Sequence, residues 1–271
     1  MTGSAESSAA ATASPVAPAG VSQPEVTLDG LAAADVRAMQ AAALEVAECR
    51  RVLTKAGMNV VGELLRGHDT FYEDDHYPTG DVFDGESGSQ YYYHAHRGIE
   101  LEHGHFHTFL RGRGLLADGT DTVGVEADQV PDHGDLVHLV GVSMDPWGDP
   151  MALFATNRWV TGERWLPAQR ILPLLDNFVI DHAWPSWPAN RWISALLMLF
   201  RPQVRALLEQ RDAVIEAWRR RHPDTDVLED TRLELTGWIS IDTAEQLAAL
   251  EAHYDPDGRA YARLVGDWSV R

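Results

Sequence analysis

Histidines alternate with other residues in two short stretches that predict the centre of the fold: YYYHAHR at residues 91–97 and EHGHFHTFL at residues 102–110. Their histidines are His94, His96, His103, His105 and His107. Within each stretch the histidines are two positions apart, and side chains at that spacing lie on one face of a β-strand. The run between the stretches is short and begins with Gly98. The sequence therefore predicts a β-hairpin with histidines on each strand.

The length of the loop decides whether the two histidine rows meet. A four-residue loop at 98–101 places His94 opposite His105 and His96 opposite His103, with cross-strand Cβ distances of about 5 Å. A loop of three or five residues would place the rows on opposite faces. The four-residue loop also gives the other side chains of the two stretches a common second face. That face consists of Tyr91, Tyr93, Ala95, Phe106, Thr108 and Leu110. The apolar alternation therefore favours the even loop.

The histidine face predicts metal or acid–base chemistry, because imidazole is a common metal ligand and titrates near neutral pH. The predicted ligands of a divalent transition metal, zinc or iron, are His94, His96, His103 and His105. The predicted acid–base residues are Glu100, His107 and His138. The predicted substrate contacts are Arg97, Arg158 and Trp187. Two structural interpretations compete with a site: a solvated strand face, or a semi-polar core of hydrogen-bonded neutral histidines.

The composition narrows the function classes. The chain has 41 acidic and 22 basic residues and a formal net charge of −19, which argues against nucleic-acid and anionic-membrane partners. Its one cysteine, Cys49, excludes an internal disulfide and a Cys-x-x-Cys metal site. The nucleophile elbow, the phosphate-binding loop and the His-Glu-x-x-His helix are absent from the sequence. Metal chemistry or small-molecule binding remains, and the oligomeric state stays open.

The sequence also predicts where the protein resides and how it is organised. Residues 1–25 are rich in alanine, serine and proline and lack the apolar core of a signal peptide, which predicts a disordered tail. Because no apolar run is long enough to span a bilayer, we expect a cytoplasmic protein. Residues 26–271 are predicted to form a single domain.

Periodicity predicts an α+β fold with a central antiparallel sheet of at least four strands and helices before and after it. The expected strands are the two of the hairpin, 135–144, 151–157 and 233–241. The expected helices are 31–56, 59–66, 167–181 with a break at Pro173, 190–200, a helix from Pro202 to Arg221, and 243–254. Residues 67–89 and 118–134 are expected to be long polar segments without a strand.

The sequence resembles two protein families. Gly88, followed by His94 and His96 and then by Glu100, resembles the first cupin motif, in which two histidines and a glutamate bind iron, manganese or nickel. The residues similar to the second cupin motif are Pro131, Gly134 and His138. The spacing from proline to glycine is longer than in that motif, and the expected asparagine after His138 is missing.

The second resemblance covers more of the chain. Blocks 93–97, 102–107 and 157–163 are similar to an uncharacterised bacterial family of unknown function, and the similarity extends over most of 30–250. This family implies no activity.

The leading hypothesis from the sequence is a metal-dependent enzyme, a hydrolase or an oxygenase, that acts on a small molecule. The first alternative is a ligand-binding or metal-sensing module without turnover. The second is a metal-free pocket in which the histidines bind an anion or transfer protons.

Overall fold

The structure is a computed structural model, and it describes residues 18, 20–21, 23–97, 102–115 and 136–254. Within these ranges the chain forms six β-strands and seven α-helices. The strands are β1 (Tyr77–Asp84), β2 (Ser89–His94), β3 (Gly104–Leu110), β4 (Val137–Met144), β5 (Pro150–Thr156) and β6 (Leu235–Ser240). The helices are α1 (Ala33–Lys55), α2 (Val60–Leu64), α3 (Arg158–Thr161), α4 (Ala168–Ile171), α5 (Trp187–Leu199), α6 (Arg201–Arg221) and α7 (Thr243–Tyr254).

The six strands form one sheet in the order β1-β2-β3-β4-β5-β6, and each neighbouring pair is antiparallel. Helices α1 and α2 precede the sheet, α3 to α6 separate β5 from β6, and α7 follows β6. The predicted α+β class, with a central antiparallel sheet and helices before and after it, is confirmed.

The register of the β2–β3 hairpin is the one that the even loop predicts. His94 pairs with His105, Tyr93 with Phe106, and Tyr92 with His107. A slip of one residue would turn the apolar side chains away from the core, so burial of one face fixes the pairing. The loop itself, at 98–101, lies outside the described residues.

The two faces of the hairpin differ in what covers them. Tyr91, Tyr93 and Phe106 are fully buried in the main hydrophobic cluster, which also contains residues of α1, α5, α6 and α7. The Phe106 ring lies 5.8 Å from the ring of Trp192 on α5. Helix α5 packs in turn against α1. The helices therefore cover one face of the hairpin, and the histidines lie on the other.

The expectation of a strandless segment at 67–89 is wrong, because β1 lies within it. The pairing of β1 with β2 is interrupted between Tyr77 and Val82. In that interruption Gly80 and Asp81 have positive φ values of 89° and 56°. Such a bulge interrupts the two-residue alternation from which a strand is predicted.

The predicted helix at 167–181 is shorter than expected. Helix α4 ends at Ile171, and a 3₁₀ helix covers Leu172–Asn177. Pro173 accounts for the change, because proline lacks the N–H of an α-helical hydrogen bond and its ring clashes with the preceding turn.

Most of the predicted tail at 1–25, and all of the turn-rich segment at 118–134, lie outside the described residues. Among the helices that are described, none combines the length and the apolar character needed to cross a bilayer.

Candidate metal centre

Three histidines meet on the face of the sheet opposite the helices. His94 of β2 lies across from His105 of β3, and His107 lies two residues further along β3 on the same face. His105 and His107 are fully buried, and His94 is half-buried. We call these three residues the histidine cluster.

Gly141 on β4 makes room for an aromatic wall beside this cluster. It pairs with His107 on one side and with Phe154 on the other. A Cβ atom at position 141 would lie 2.1 Å from the Phe154 ring, so only glycine leaves space for that ring. The ring packs edge-on against His105 and His107, with centroid distances of 5.2 and 5.7 Å.

The ring nitrogens of the cluster converge. Nε2 of His94 lies 2.7 Å from Nε2 of His105. One nitrogen from each of His94, His105 and His107 lies within 4.8 Å of the other two. Since zinc-to-nitrogen bonds are about 2.0–2.1 Å long, the three histidines could hold one metal ion between them.

Glu102 orients His105. Its Oε1 lies 2.5 Å from Nδ1 of His105, and its Oε2 accepts a hydrogen bond of 2.5 Å from Oγ of Ser143. A carboxylate at Nδ1 keeps the proton on that nitrogen and leaves the lone pair on Nε2. Glu102 is almost completely buried together with the His105 ring that it contacts.

His138 of β4 orients His107 in the same way. Nε2 of His138 lies 2.9 Å from Nδ1 of His107, and Nδ1 of His138 lies 3.4 Å from Oγ1 of Thr156. If Nδ1 of His138 donates to the threonine, its Nε2 accepts from Nδ1 of His107. Nε2 of His107 then carries the lone pair, as Nε2 of His105 does.

Burial keeps these imidazoles neutral. Desolvation lowers the pKa of His94 to about 2, with further lowering from His105 and His96. Desolvation likewise lowers the pKa of His105 to about 4 although Glu102 opposes it, and it lowers the pKa of His107 well below its usual value. A neutral imidazole is the form that binds metal, so the cluster needs no deprotonation near neutral pH.

A second buried carboxylate lies at the far end of this face. The backbone N–H of His138 donates to Oε2 of Glu163. Burial raises the pKa of Glu163 to about 8, although the positive charge of Arg211 opposes the rise. In the described part of the chain, Oε1 of Glu163 has no hydrogen-bond partner.

Not all of the predicted ligands join the cluster. His96 lies beyond the end of β2, and its ring centroid is 5.0 Å from those of both His94 and His105. The expected placement of His103 with them is wrong: its Nδ1 lies 2.7 Å from the hydroxyl oxygen of Tyr93, on the helix-covered face. Strand β3 begins only at Gly104, so the alternation does not extend back to His103.

The other predicted site residues are scattered. Arg158 forms an ion pair with Glu229, and its Nη1 donates to the backbone oxygen of Glu163. Trp187 lies at the start of α5, which packs on the helix side of the sheet, so it is not brought to the cluster. Glu100 lies outside the described residues.

Arg97 does lie beside the cluster. Its guanidinium carbon is 4.1 Å from the centroid of Phe154, the ring that also contacts His105. Its Nη1 lies 3.7 Å from Oε1 of Glu102, and its Nη2 lies 3.6 Å from Oε1 of Glu234. Burial lowers the pKa of Arg97, while the two carboxylates oppose that effect.

A cleft of about 1120 Å³ opens along β1, on the His94 side of the cluster. His76, in its wall, stacks on Tyr92 at 3.6 Å and meets the edge of His94 at 5.6 Å. Nδ1 of His76 lies 3.0 Å from Oδ1 of Asp81, and Oδ2 of Asp81 accepts a hydrogen bond from Gln90. The sequence did not indicate this arrangement, because the bulge that turns Asp81 towards His76 has no periodic signal.

Comparison with known proteins identifies a family but no activity. The family model of DUF6969, a domain of unknown function, matches residues 40–241. No curated protein and no solved structure matches the chain. The cupin resemblance gains no support, since the consecutive strand order differs from the Greek-key order of the jelly rolls to which cupins belong.

Proposed function

We propose, from the premise that this chain belongs to the DUF6969 family and that the family names no activity, that it is a metal-dependent enzyme acting on a small molecule. The histidine cluster is the proposed metal site. Glu102 and His138 are positioning residues in this proposal, so His138 acts through His107 and is not an acid–base group.

One observation carries the proposal: His105 and His107 each use Nδ1 in a hydrogen bond, which leaves Nε2 available to a metal, and one nitrogen of each lies within 4.8 Å of a nitrogen of His94. Histidines that bind metal almost always hold their second nitrogen in this way. A solvated face does not account for it, because both rings are completely buried. The hydrogen bond of 2.7 Å between Nε2 of His94 and Nε2 of His105 would also suit a structural core. A third ring nitrogen, from His107, lies within 4.8 Å of both residues, and this convergence favours a metal site.

The ligand set favours zinc-type chemistry over iron-type chemistry. Iron oxygenases typically use two histidines and a carboxylate, whereas three histidines with an open fourth position suit zinc. Three neutral ligands leave the full charge on the ion, which then polarises a carbonyl group or activates a bound water. We therefore place hydrolysis or hydration ahead of oxygen chemistry.

The cleft along β1 supplies a route for the substrate. Its wall reaches the cluster through His76, which contacts Tyr92 and His94. His94 is the least buried of the three proposed ligands, so the open coordination position is expected on its side.

The first test is the metal content of protein purified without a histidine tag. We expect about one zinc per chain, and loss of that metal in both His94→Ala and His105→Ala, since a preformed site binds its metal tightly. The control is His103→Ala, which removes a nearby histidine that lies outside the cluster. Less than about 0.2 metal per chain after incubation with zinc or iron would overturn the proposal.

The complete burial of His105 and His107 also suits a second function, metal sensing without turnover. The two functions differ in the coordination of the ion. Cobalt-loaded protein with an open position changes its visible absorption when azide is added, whereas a saturated site does not respond. A spectrum that azide leaves unchanged would favour sensing over catalysis.

A further inference from the structure

We propose that Arg97 forms an anion-binding site beside the histidine cluster and that its ligand is a small carboxylate. That this carboxylate is the substrate rests on the proposed function. The binding site itself rests only on the surroundings of Arg97, so the two ideas can fail separately.

The guanidinium of Arg97 is buried with its donors unused. The side chain is 8% exposed. Its Nε, Nη1 and Nη2 are all buried, and in the part of the chain that the structure describes none of the three has a hydrogen-bond partner. Arginine keeps its charge even when buried, and a buried charge without hydrogen bonds is costly. Such a group needs an acceptor.

The two nearest carboxylates do not supply that acceptor. Glu102 and Glu234 lie 3.7 and 3.6 Å from the guanidinium, beyond the usual range of hydrogen bonds to nitrogen donors. The oxygens of Glu102 already face His105 and Ser143. The two carboxylates together exceed the single charge of Arg97, but at these distances they leave its directional donors available.

Phe154 holds the guanidinium on the histidine face of the sheet. The cation lies 4.1 Å above the centre of that ring, a distance typical of cation–π contacts. The same ring packs against His105 and His107. One aromatic side chain therefore fixes the proposed anion site and the proposed metal site side by side, and the arginine is ordered before a ligand arrives.

The chemistry of the surroundings selects the ligand. The planar fork of guanidinium matches the two oxygens of a carboxylate. A phosphate dianion carries more charge and would meet stronger repulsion from Glu102 and Glu234, which lie within 4 Å of the same group. The burial of Arg97 limits the size of the ligand. A small monocarboxylate satisfies all three conditions.

The test is calorimetric titration of the full chain with acetate and with phosphate, with and without bound zinc. We expect saturable acetate binding that Arg97→Met weakens by at least about 10-fold, the effect of losing a charge-assisted hydrogen bond. Arg97→Lys keeps the charge but not the fork, and an intermediate loss is expected. The matched control is Arg205→Met, which removes an exposed arginine of α6 and leaves acetate binding unchanged.

The outcomes separate the two proposals. Zinc uptake without Arg97-dependent acetate binding overturns the anion site and leaves the metal site standing. Arg97-dependent acetate binding without zinc uptake does the reverse. Phosphate binding tighter than acetate binding overturns the assignment to carboxylates. If Arg97→Met does not fold, Arg97→Lys decides, and absence of acetate binding to the unmodified chain refutes the site by itself.

Discussion

The two faces of the β2–β3 hairpin use burial for different purposes. On the face towards the helices, Tyr93 and Phe106 are fully buried among apolar side chains of the main cluster. On the other face, His105 and His107 are equally buried, yet each is hydrogen-bonded through a polar ring atom. Burial of an apolar ring stabilises a fold directly, whereas a buried imidazole must first recover the hydrogen bonds that it loses to water.

We infer that the apolar face determines the fold and that the histidine face provides the proposed metal site. Apolar burial sets the register, and the register then places His94 against His105 without any contribution from a metal. Substitutions on the two faces should therefore separate stability from metal binding.

The largest expected effect is on the apolar face. Phe106→Ala should lower the free energy of unfolding by about 3–5 kcal/mol, as for other buried aromatic residues, measured by urea denaturation. The matched variant is Phe109→Ala on the histidine face. Phe109 is just as buried, but among the described residues its hydrophobic cluster adds only Tyr92 and Leu136, so we expect a smaller loss. Equal losses in the free energy of unfolding would show that both faces stabilise the fold to the same extent.

Metal removal should produce the next largest effect. If zinc binds the folded chain at 100 to 1000 times its dissociation constant, it stabilises the fold by about 2.7–4.1 kcal/mol. A chelator should then lower the melting temperature by about 5–15 °C. The same chelator should leave His94→Ala unaffected. An equal shift in that variant would place the metal elsewhere.

The sequence predicts the apolar face more fully than the histidine face, for a physical reason. Alternation and loop parity depend on neighbours in the chain, so the pairing of His94 with His105 follows from them. Glu102, which precedes β3, contacts Ser143 of β4 across 41 residues, and His107 of β3 contacts His138 of β4 across 31 residues. No local pattern encodes them.

His103 and Asp81 illustrate two other limits. Strand β3 begins at Gly104, so the alternation does not extend back to His103, and a regular spacing wrongly assigns that residue to the histidine face. Asp81 reaches His76 through a bulge with a positive φ of 56°, a geometry that periodicity cannot indicate. Backbone irregularity, which positions side chains at the edge of the sheet, is what sequence alone misses.

A smaller effect is expected from Glu102→Gln. The amide oxygen can still accept from Nδ1 of His105, so the fold should persist, but the negative charge that raises the basicity of His105 is lost. Metal affinity should fall by about 10–100-fold, measured by competition with a chelator. Glu234→Gln is the control, because Glu234 lies near Arg97 and not at the ring of His105. Unchanged affinity in Glu102→Gln would show that Glu102 does not act through His105.

The smallest effect is a pH dependence that only the histidine face should show. The folded pKa of Glu163 is raised to about 8, so the folded chain holds this proton more tightly than the unfolded chain. The contribution of this proton to the free energy of unfolding is fully present below the usual glutamate pKa, and it is lost as the pH rises through about 8. At pH 7 the unfolded chain still binds protons on histidines, whose folded pKa values are lowered, so these histidines add a small gain in stability as the pH rises. The contribution of Glu163 alone is a loss of about 1.4 kcal/mol between pH 7 and pH 9, one pKa unit, and it is measured on the chelated protein as the difference between the unmodified chain and Glu163→Gln. Glu163→Gln should remove this loss, and Phe106→Ala should keep it; a loss of the same size that persists in Glu163→Gln would assign the proton to another group.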